Sequence, residues 1–167
     1  MIDITELVRA IDVSHFQRAI DWPAVAASGV PVAVIKATQG MAVDPMFDRN
    51  RKGATAAGLT VLWYPFLTPD DDDATIAHAL GLIEGLVPML DWEAHGVTDD
   101  VVLRWQRAYE AKTGRTGFVY RGIWPPDRVT AEVARWPWWL AEYARQPRAQ
   151  PWDGSPNPDW SRVWAGW

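Results

Sequence analysis

Short apolar runs alternate along the chain with longer segments in which apolar residues recur at helical spacing. The run VPVAVIKA at 30–37 is almost continuously apolar, which is typical of a parallel strand that is covered on both faces. Helix-capping residues flank the longer segments; for example, Asp21 precedes Trp22-Pro23, and Gly29 closes the same segment. The pattern predicts strands at 10–13, 30–37, 59–64, 87–91, 117–120, 138–141 and within 160–167. It predicts helices at 22–29, 44–58, 70–84, 98–113 and 125–135, and an irregular loop at 146–159.

The strand and helix pair recurs about every 25 to 30 residues, which indicates parallel βαβ units and an α/β fold. Periodicity alone leaves two architectures open, a barrel and an open doubly wound sheet. Both bind ligands at the carboxyl ends of their strands, so a functional site is expected at that edge. The length of 167 residues fits a single domain with one core, and neither an internal repeat nor a linker divides the sequence.

Charge and composition exclude several classes of partner. The formal net charge is −5 and the basic residues do not cluster, so neither a nucleic acid nor an anionic membrane is an expected partner. The absence of cysteine excludes disulfides and thiolate metal sites. The first residues lack the features of a secretory signal, so we expect a product made in the cytoplasm and not inserted in a membrane. The 12 tryptophans are unusually many, and indole faces beside polar groups suit a sugar-binding cleft.

Three carboxylates collect at predicted strand ends. Asp12 closes the first strand, and Asp91 and Glu93 close the fourth. Residues two apart on an extended segment point to the same side, with Cα atoms roughly 6.5 Å apart, so Asp91 and Glu93 can converge on one bond. Glycoside hydrolysis needs such a pair, one acid protonated and one ionised, and crowding of like charges raises one pKa. A lone acid at a strand end more often caps a turn, so Asp12 carries less weight than the pair.

Other residues at strand ends are candidates for lining a cleft. They are Lys36, Thr38, Tyr64, Tyr120, Arg121, Glu142 and Tyr143. No metal or other cofactor is expected, because the three histidines, His15, His78 and His95, form no helical H-x-x-x-H pair. The acidic run at 70–73 is interpreted as a solvated cap at the start of a helix rather than as a cation site.

Several segments of the chain resemble, in order, the motifs of one known family. The matching segments are 11–17 (IDVSHFQ), 20–22 (IDW), 34–40 (VIKATQG), 63–66 (WYPF), 88–93 (PMLDWE), 119–120 (VY) and 139–143 (WLAEY). On these motifs the chain is identified as a member of glycoside hydrolase family 25, the Chalaropsis-type lysozymes. The resemblance implies an irregular, TIM-like (β/α) barrel that forms a single catalytic domain over residues 1–167.

The same resemblance implies an activity, hydrolysis of the β-1,4 bond between N-acetylmuramic acid and N-acetylglucosamine in peptidoglycan. It implies that Glu93 is the general acid, that Asp91 orients the 2-acetamido group or stabilises the cationic centre, and that Asp12 assists. The residues expected to bind the glycan are Tyr64, Tyr120, Trp139, Lys36 and Trp92. The family is usually retaining, and a covalent and a substrate-assisted route both stay open.

The sequence departs from the family pattern at three points. Pro65 stands where histidine is usual, and Gln39 stands where an acid is common. The family also continues to a final strand with a further Asp, whereas this sequence stops after 163–167. A barrel without that strand has an open edge, which a second copy of the chain or a partner chain is expected to cover.

Two rival functions follow from these departures, a catalytically inactive wall-binding module and a structural protein built on the same fold. The retained acids favour the enzyme. A wall hydrolase without a secretory signal suggests a phage endolysin released by a holin, or a toxin exported by a dedicated machine.

Overall fold

A computed structural model describes residues 9–83, 85–122, 129–141 and 163–164 of the chain. The strands are β1 (Ala10–Val13), β2 (Val32–Gln39), β3 (Ala42–Val43), β4 (Thr60–Phe66), β5 (Val87–Asp91), β6 (Phe118–Gly122), β7 (Trp138–Ala141) and β8 (Val163–Trp164). The α-helices are α1 (Trp22–Ala27), α2 (Phe47–Ala56), α3 (Asp73–Leu82) and α4 (Asp99–Thr113), and short 3-10 turns lie at His15–Gln17 and Val133–Arg135. None of the helices described is long and apolar enough to cross a membrane.

The strands form one sheet in the order β1-β2-β4-β5-β6-β7-β8, in which every neighbouring pair is parallel. The short strand β3 pairs with β2 in the antiparallel direction. The order follows the sequence without reversing, so the sheet winds in one direction and is not doubly wound. Within the described ranges no pairing joins β8 to β1, and the sheet is a curled half-barrel.

Tryptophans fill much of the core between the sheet and its helices. Trp63, Trp105 and Trp136 are almost fully buried, and the rings of Trp63 and Trp105 lie 6.3 Å apart. Successive residues of β2 alternate between the two faces: Ile35 joins this large core, while Val34 joins a small cluster on the opposite face. Most of the indoles that are described therefore stabilise the fold rather than line a cleft.

Two helices begin later than the sequence pattern predicts, because acidic side chains just before them accept hydrogen bonds from backbone N–H groups. Helix α2 begins at Phe47 instead of 44, since the carboxylate of Asp44 accepts hydrogen bonds from the backbone N–H groups of Met46 and His15. Helix α3 begins at Asp73, with Asp72 as its N-cap, accepting from the N–H of Thr75 at 2.8 Å.

The interpretation of the run at 70–73 as a solvated cap is wrong for Asp71. This side chain is 1% exposed, and its carboxylate accepts from Trp105 Nε1 at 2.9 Å and from Thr68 Oγ1 at 2.6 Å. Its backbone carbonyl accepts from Arg104 at 2.6 Å. Asp71 thus ties the loop after β4 to helix α4, a tertiary role that local pattern does not reveal.

Pro65 lies in the central strand β4, where a proline cannot donate a ladder hydrogen bond. Both neighbouring ladders are irregular at this level. Strand β2 has a bulge between Lys36 and Thr38, and the carbonyl of Ala37 accepts from the N–H of Asp44 instead. Pairing with β5 lapses between the Trp63–Pro88 and Phe66–Asp91 pairs. The sheet accommodates the missing donor by pairing less regularly around it.

Some predicted features fall wholly or partly outside the described residues. They are most of the helix at 125–135, the loop at 146–159, and the candidates Glu142 and Tyr143. Strands β1, β5 and β7 have the predicted bounds. The two-residue strand β3, which follows a turn at Gly40 with φ 57°, was not predicted.

Candidate active site

A pocket of about 240 Å³ opens at the carboxyl ends of the strands, where the sequence predicts a site. The predicted residues that line it are Asp12, Lys36, Tyr64, Asp91, Glu93, Tyr120 and Trp139. The strand-end candidates Thr38 and Arg121 are not among its lining residues. The fold therefore gathers, from six different strands and the residues that follow them, most of the side chains selected from the sequence.

The pocket has further lining residues that the sequence reasoning missed. They are Ala10, Ser14, Phe16, Phe66 and Met89. A signal for most of them was available, because residues two apart on a strand share a face. Ala10 and Ser14 flank Asp12 at this spacing, and Met89 stands in the same relation to Asp91. Phe16 carries no such signal, since it lies in the 3-10 turn after β1.

Trp92 does not line the pocket, contrary to the prediction that it binds the glycan. Its side chain is 6% exposed and belongs to the large core, where its ring lies 6.2 Å from that of Trp138. Its indole N–H donates to the carbonyl of Val97 at 3.0 Å, and the guanidinium of Arg121 lies 4.1 Å from the ring centre. The reason is that successive side chains of an extended segment point to opposite sides, so Trp92 points away from the pocket that Asp91 and Glu93 line.

Asp91 is the buried member of the carboxyl pair. It ends β5, pairs in register with Tyr120 of β6, and is 7% exposed. Burial raises the pKa of Asp91 to about 8, the negative charges of Glu93 and Asp12 raise it too, and Lys36 opposes the rise. Among the described residues, no group donates to its Oδ1. Asp91 therefore holds a proton at neutral pH.

Glu93 is the more exposed member of the pair. Burial raises its pKa, a hydrogen bond from the hydroxyl of Tyr120 acts in the opposite direction, and the charge of Asp12 adds to the rise. The two carboxyl groups therefore face one pocket from different environments, since Asp91 is buried and Glu93 is exposed. Hydrolysis of a glycoside uses two carboxyl groups whose environments differ in this way.

Lys36 brings a buried cation to the floor of the pocket. It is 9% exposed, its ammonium donates to Oε1 of Gln39 at 2.8 Å, and it lies 4.8 Å from the ring centre of Phe66. Because Gln39 is a neutral acceptor, the positive charge of Lys36 is not cancelled locally and acts on Asp91. The departure at position 39 thus leaves more positive potential beside the carboxyl pair.

Tyr64 links the pocket floor to the first strand. Burial raises its phenolic pKa, and the charges of Asp12 and Asp91 act in the same direction. Its hydroxyl is hydrogen-bonded to that of Ser14, which also caps the turn after β1. Tyr64 is accordingly a neutral hydrogen-bonding group in this pocket and not a candidate base.

The raised pKa of Asp91 predicts how stability depends on pH. Between pH 4 and pH 8 the folded chain keeps a proton that the unfolded chain loses, so the free energy of unfolding falls as the pH rises. Asp91→Asn removes this effect. We expect its melting temperature to be close to that of the wild type at pH 4 and higher by at least about 3 °C at pH 8.

Calorimetry of both proteins across this range provides the measurement. Asp100→Asn, at an exposed position in the first turn of α4, is the matched control for loss of one carboxylate. A melting-temperature difference for Asp91→Asn that is the same at pH 5 and at pH 8 contradicts the burial of a protonated carboxyl group.

Acids at the carboxyl ends of parallel strands, in a curled (β/α) sheet and around one open pocket, are an arrangement that glycoside hydrolases use. The sequence signature of the Glycosyl hydrolases family 25 matches residues 11–167. The chain belongs to this family, and the predicted fold of the family 25 lysozyme type is confirmed in the form of a half-barrel.

Individual relatives agree with this membership. Uncharacterized protein YegX of Escherichia coli (strain K12) is 31% identical over 153 residues, covering 81% of this chain and 56% of that protein. Lysozyme M1 of Streptomyces globisporus is 39% identical over 72 residues, covering 42% and 24%. The structure of a muramidase from Trichobolus zukalii matches with a TM-score of 0.71 and 25% identity, covering 82% of this chain and 78% of that one. The chain spans about half the length of YegX.

Proposed function

We propose that this chain is a lysozyme, an N-acetylmuramidase that hydrolyses the β-1,4 bond between N-acetylmuramic acid and N-acetylglucosamine in peptidoglycan. The observation that carries the proposal is the pairing of a buried, protonated Asp91 with an exposed, ionisable Glu93 in one pocket. Membership of family 25 supports it, as do relatives named lysozyme and muramidase.

We assign Glu93 as the general acid, although in the free protein the proton resides on Asp91. A bound glycan displaces water from Glu93, and this desolvation raises the pKa of Glu93 further. The 2-acetamido N–H of the sugar at the cleavage point donates to Asp91, which favours its ionised form. Binding thus moves the proton within the coupled pair to the carboxyl group that the leaving oxygen can reach.

The other pocket residues then have supporting roles. The ionised Asp91 orients the acetamido group or stabilises the oxocarbenium-like centre, and Asp12 adds negative charge from β1. Tyr64, Tyr120, Trp139 and Lys36 bind the glycan, through ring faces and through hydrogen bonds. The peptidoglycan glycan strand is the partner of this site, and the enzyme acts on the bacterial wall.

The biological setting is a further part of the proposal. A phage endolysin that a holin releases is the setting that we propose, and a toxin exported by a dedicated machine is the alternative. A second copy of the chain, or another chain, that covers the edge of the sheet stays a prediction.

The test is a product analysis of digested peptidoglycan. The purified protein is incubated with dye-labelled, insoluble peptidoglycan, and the released fragments are reduced with borohydride before hydrolysis and sugar analysis. Release of dye with muramitol as the new reduced end is the expected result. Glucosaminitol in its place identifies a glucosaminidase and rejects the proposed bond. Protein that pellets with the wall without release is a binding module, and protein that does neither fits a structural role.

A further inference from the structure

We propose that Phe16, in the turn after β1, is a stacking platform that binds a pyranose ring of the glycan at the rim of the pocket. The proposal rests on the function proposed above and adds a binding residue to it. Phe16 is 76% exposed, more than any other large apolar side chain described, and it lines the pocket. Asp12, in the preceding strand β1, lines the same pocket, so a sugar stacked on the Phe16 ring also reaches the charged part of the site.

A single exposed aromatic residue is unremarkable on a protein surface, so the argument depends on how this one is held. The turn is fixed by a capping box around Ser14. The backbone N–H of Ser14 donates to Oε1 of Gln17 at 2.8 Å, and the Ser14 hydroxyl accepts from the N–H of Phe16 at 3.3 Å. The Ser14 hydroxyl is also hydrogen-bonded to the hydroxyl of Tyr64 on the pocket floor. The Phe16 backbone is thereby connected to the floor of the site.

A second anchor holds the same turn from outside the pocket. The backbone N–H of His15 donates to Oδ2 of Asp44 at 3.1 Å, and its Nδ1 lies 2.7 Å from the same oxygen. Asp44 is itself buried, and its other oxygen accepts from the N–H of Met46 at 2.9 Å. A buried carboxylate with several donors is a rigid support, because releasing it leaves a charge unpaired.

The imidazole of His15 also supports the Phe16 ring directly. The two ring centres are 4.1 Å apart, with 37° between their planes. One side of the phenyl ring is thus backed by His15, and the exposure of the ring leaves its remaining surface open to a ligand. An aromatic face that is fixed before binding loses little conformational entropy when a ligand stacks on it. The apolar C–H face of a pyranose ring is a flat surface that matches it.

The chemistry around Phe16 favours a glycan over a protein or a lipid as its ligand. Seven of the other eleven residues that line its pocket are charged or carry hydroxyl groups, among them Asp12, Lys36 and Tyr64. Hydroxyl-rich sugars satisfy such groups while one ring stacks, whereas an apolar protein surface leaves them without partners. Phe16 therefore extends the predicted carbohydrate site along the β1 side of the pocket.

Binding of a defined glycan to substituted proteins tests the proposal. The probe is a soluble β-1,4-linked oligosaccharide of N-acetylglucosamine and N-acetylmuramic acid, titrated calorimetrically into proteins that carry Glu93→Gln to prevent cleavage. Phe16→Ala is expected to raise the Kd by about fivefold or more, the scale of one aromatic contact. Phe16→Tyr, which keeps the flat ring, is expected to stay within about twofold, and Phe16→Leu, which is apolar but not flat, to behave like alanine.

Two controls separate stacking from general effects. Met41→Ala removes another exposed apolar side chain, 59% exposed and outside the pocket lining, and is expected to leave the Kd unchanged. Melting temperatures are expected to be equal for all variants at position 16, since the side chain is exposed. With Glu93 restored, Phe16→Ala is expected to raise KM on peptidoglycan and to leave kcat within about twofold.

The outcomes distinguish this proposal from the proposed function. If Phe16→Ala binds the oligosaccharide as well as the parent protein, or if Phe16→Leu does, the stacking platform is rejected. Turnover of peptidoglycan by the wild type then still supports the proposed function. Binding that depends on Phe16 in a protein without turnover rejects the enzyme and keeps the platform. No binding by any variant, with no turnover by the wild type, rejects both.

Discussion

Replacing Glu93 by glutamine is expected to lower kcat on peptidoglycan by about 1,000-fold, within the range that general acid catalysis contributes. The amide has nearly the shape of the carboxyl group but cannot protonate the leaving oxygen. The measurement is the initial rate of reducing-end formation at saturating substrate. Glu132→Gln is the matched control, because Glu132 is exposed and pairs with Arg107 on the surface, and it is expected to keep the wild-type rate.

An activated substrate separates the roles of the two acids. An aryl glycoside whose phenolate leaves without a proton needs no general acid, so Glu93→Gln is expected to cleave it at a rate close to that of the wild type. Asp91→Asn is expected to lose activity on both peptidoglycan and the aryl glycoside, since it removes the charge that orients or stabilises the reacting centre. The reverse result, in which Asp91→Asn keeps the activated substrate, makes Asp91 the acid and agrees with the location of the proton in the free protein.

Gly117→Ala is expected to lower the free energy of unfolding by about 2 kcal/mol, the scale of an overpacked core position. A Cβ atom at Gly117 meets the carbonyl oxygen of Pro88 at 2.5 Å and a ring carbon of Trp136 at 2.8 Å. The first contact is with backbone, and Trp136 is fully buried, so neither neighbour moves at low cost. Relief requires β6 to shift away from β5.

Urea denaturation measures this effect, and a second glycine provides the control. Gly81 lies in α3, and a Cβ atom there has no neighbour within 4 Å among the described residues. Gly81→Ala is expected to raise the free energy of unfolding by up to about 1 kcal/mol, because alanine is the better helix former. Equal destabilisation by the two substitutions contradicts the packing argument. The shift of β6 is also expected to weaken activity in Gly117→Ala, since Tyr120 lies on β6 beside Asp91.

Local pattern was enough to predict the sheet and the edge that carries the site. Strands buried on both faces read as continuous apolar runs, so the bounds of β5 were predicted correctly. Asp91, at the end of this strand, and Glu93, two residues later, both line the pocket, as their spacing predicts. Pairing of consecutive strands then brings Asp12 and Lys36 to the same edge.

What the sequence did not reveal depends on contacts between distant residues. Asp44 and Asp71 look like helix caps locally, but each binds groups that are remote along the chain, respectively His15 and Trp105. Trp92 is a different case, because the alternation that pairs Asp91 with Glu93 already directs the residue between them to the core. The number of tryptophans suggested a sugar-binding cleft, but most of the described indoles are buried in the core, where large aromatic side chains commonly pack.

The irregular pairing around Pro65 has a consequence for local opening of the sheet. Pairing between the strands is irregular at the level of Lys36, Tyr64 and Asp91. Irregular pairing lowers local stability, so we expect the backbone amide hydrogens at this level to exchange with solvent faster than those beside the tryptophan-filled core. The part of the sheet that carries the pocket is then the part that opens most readily.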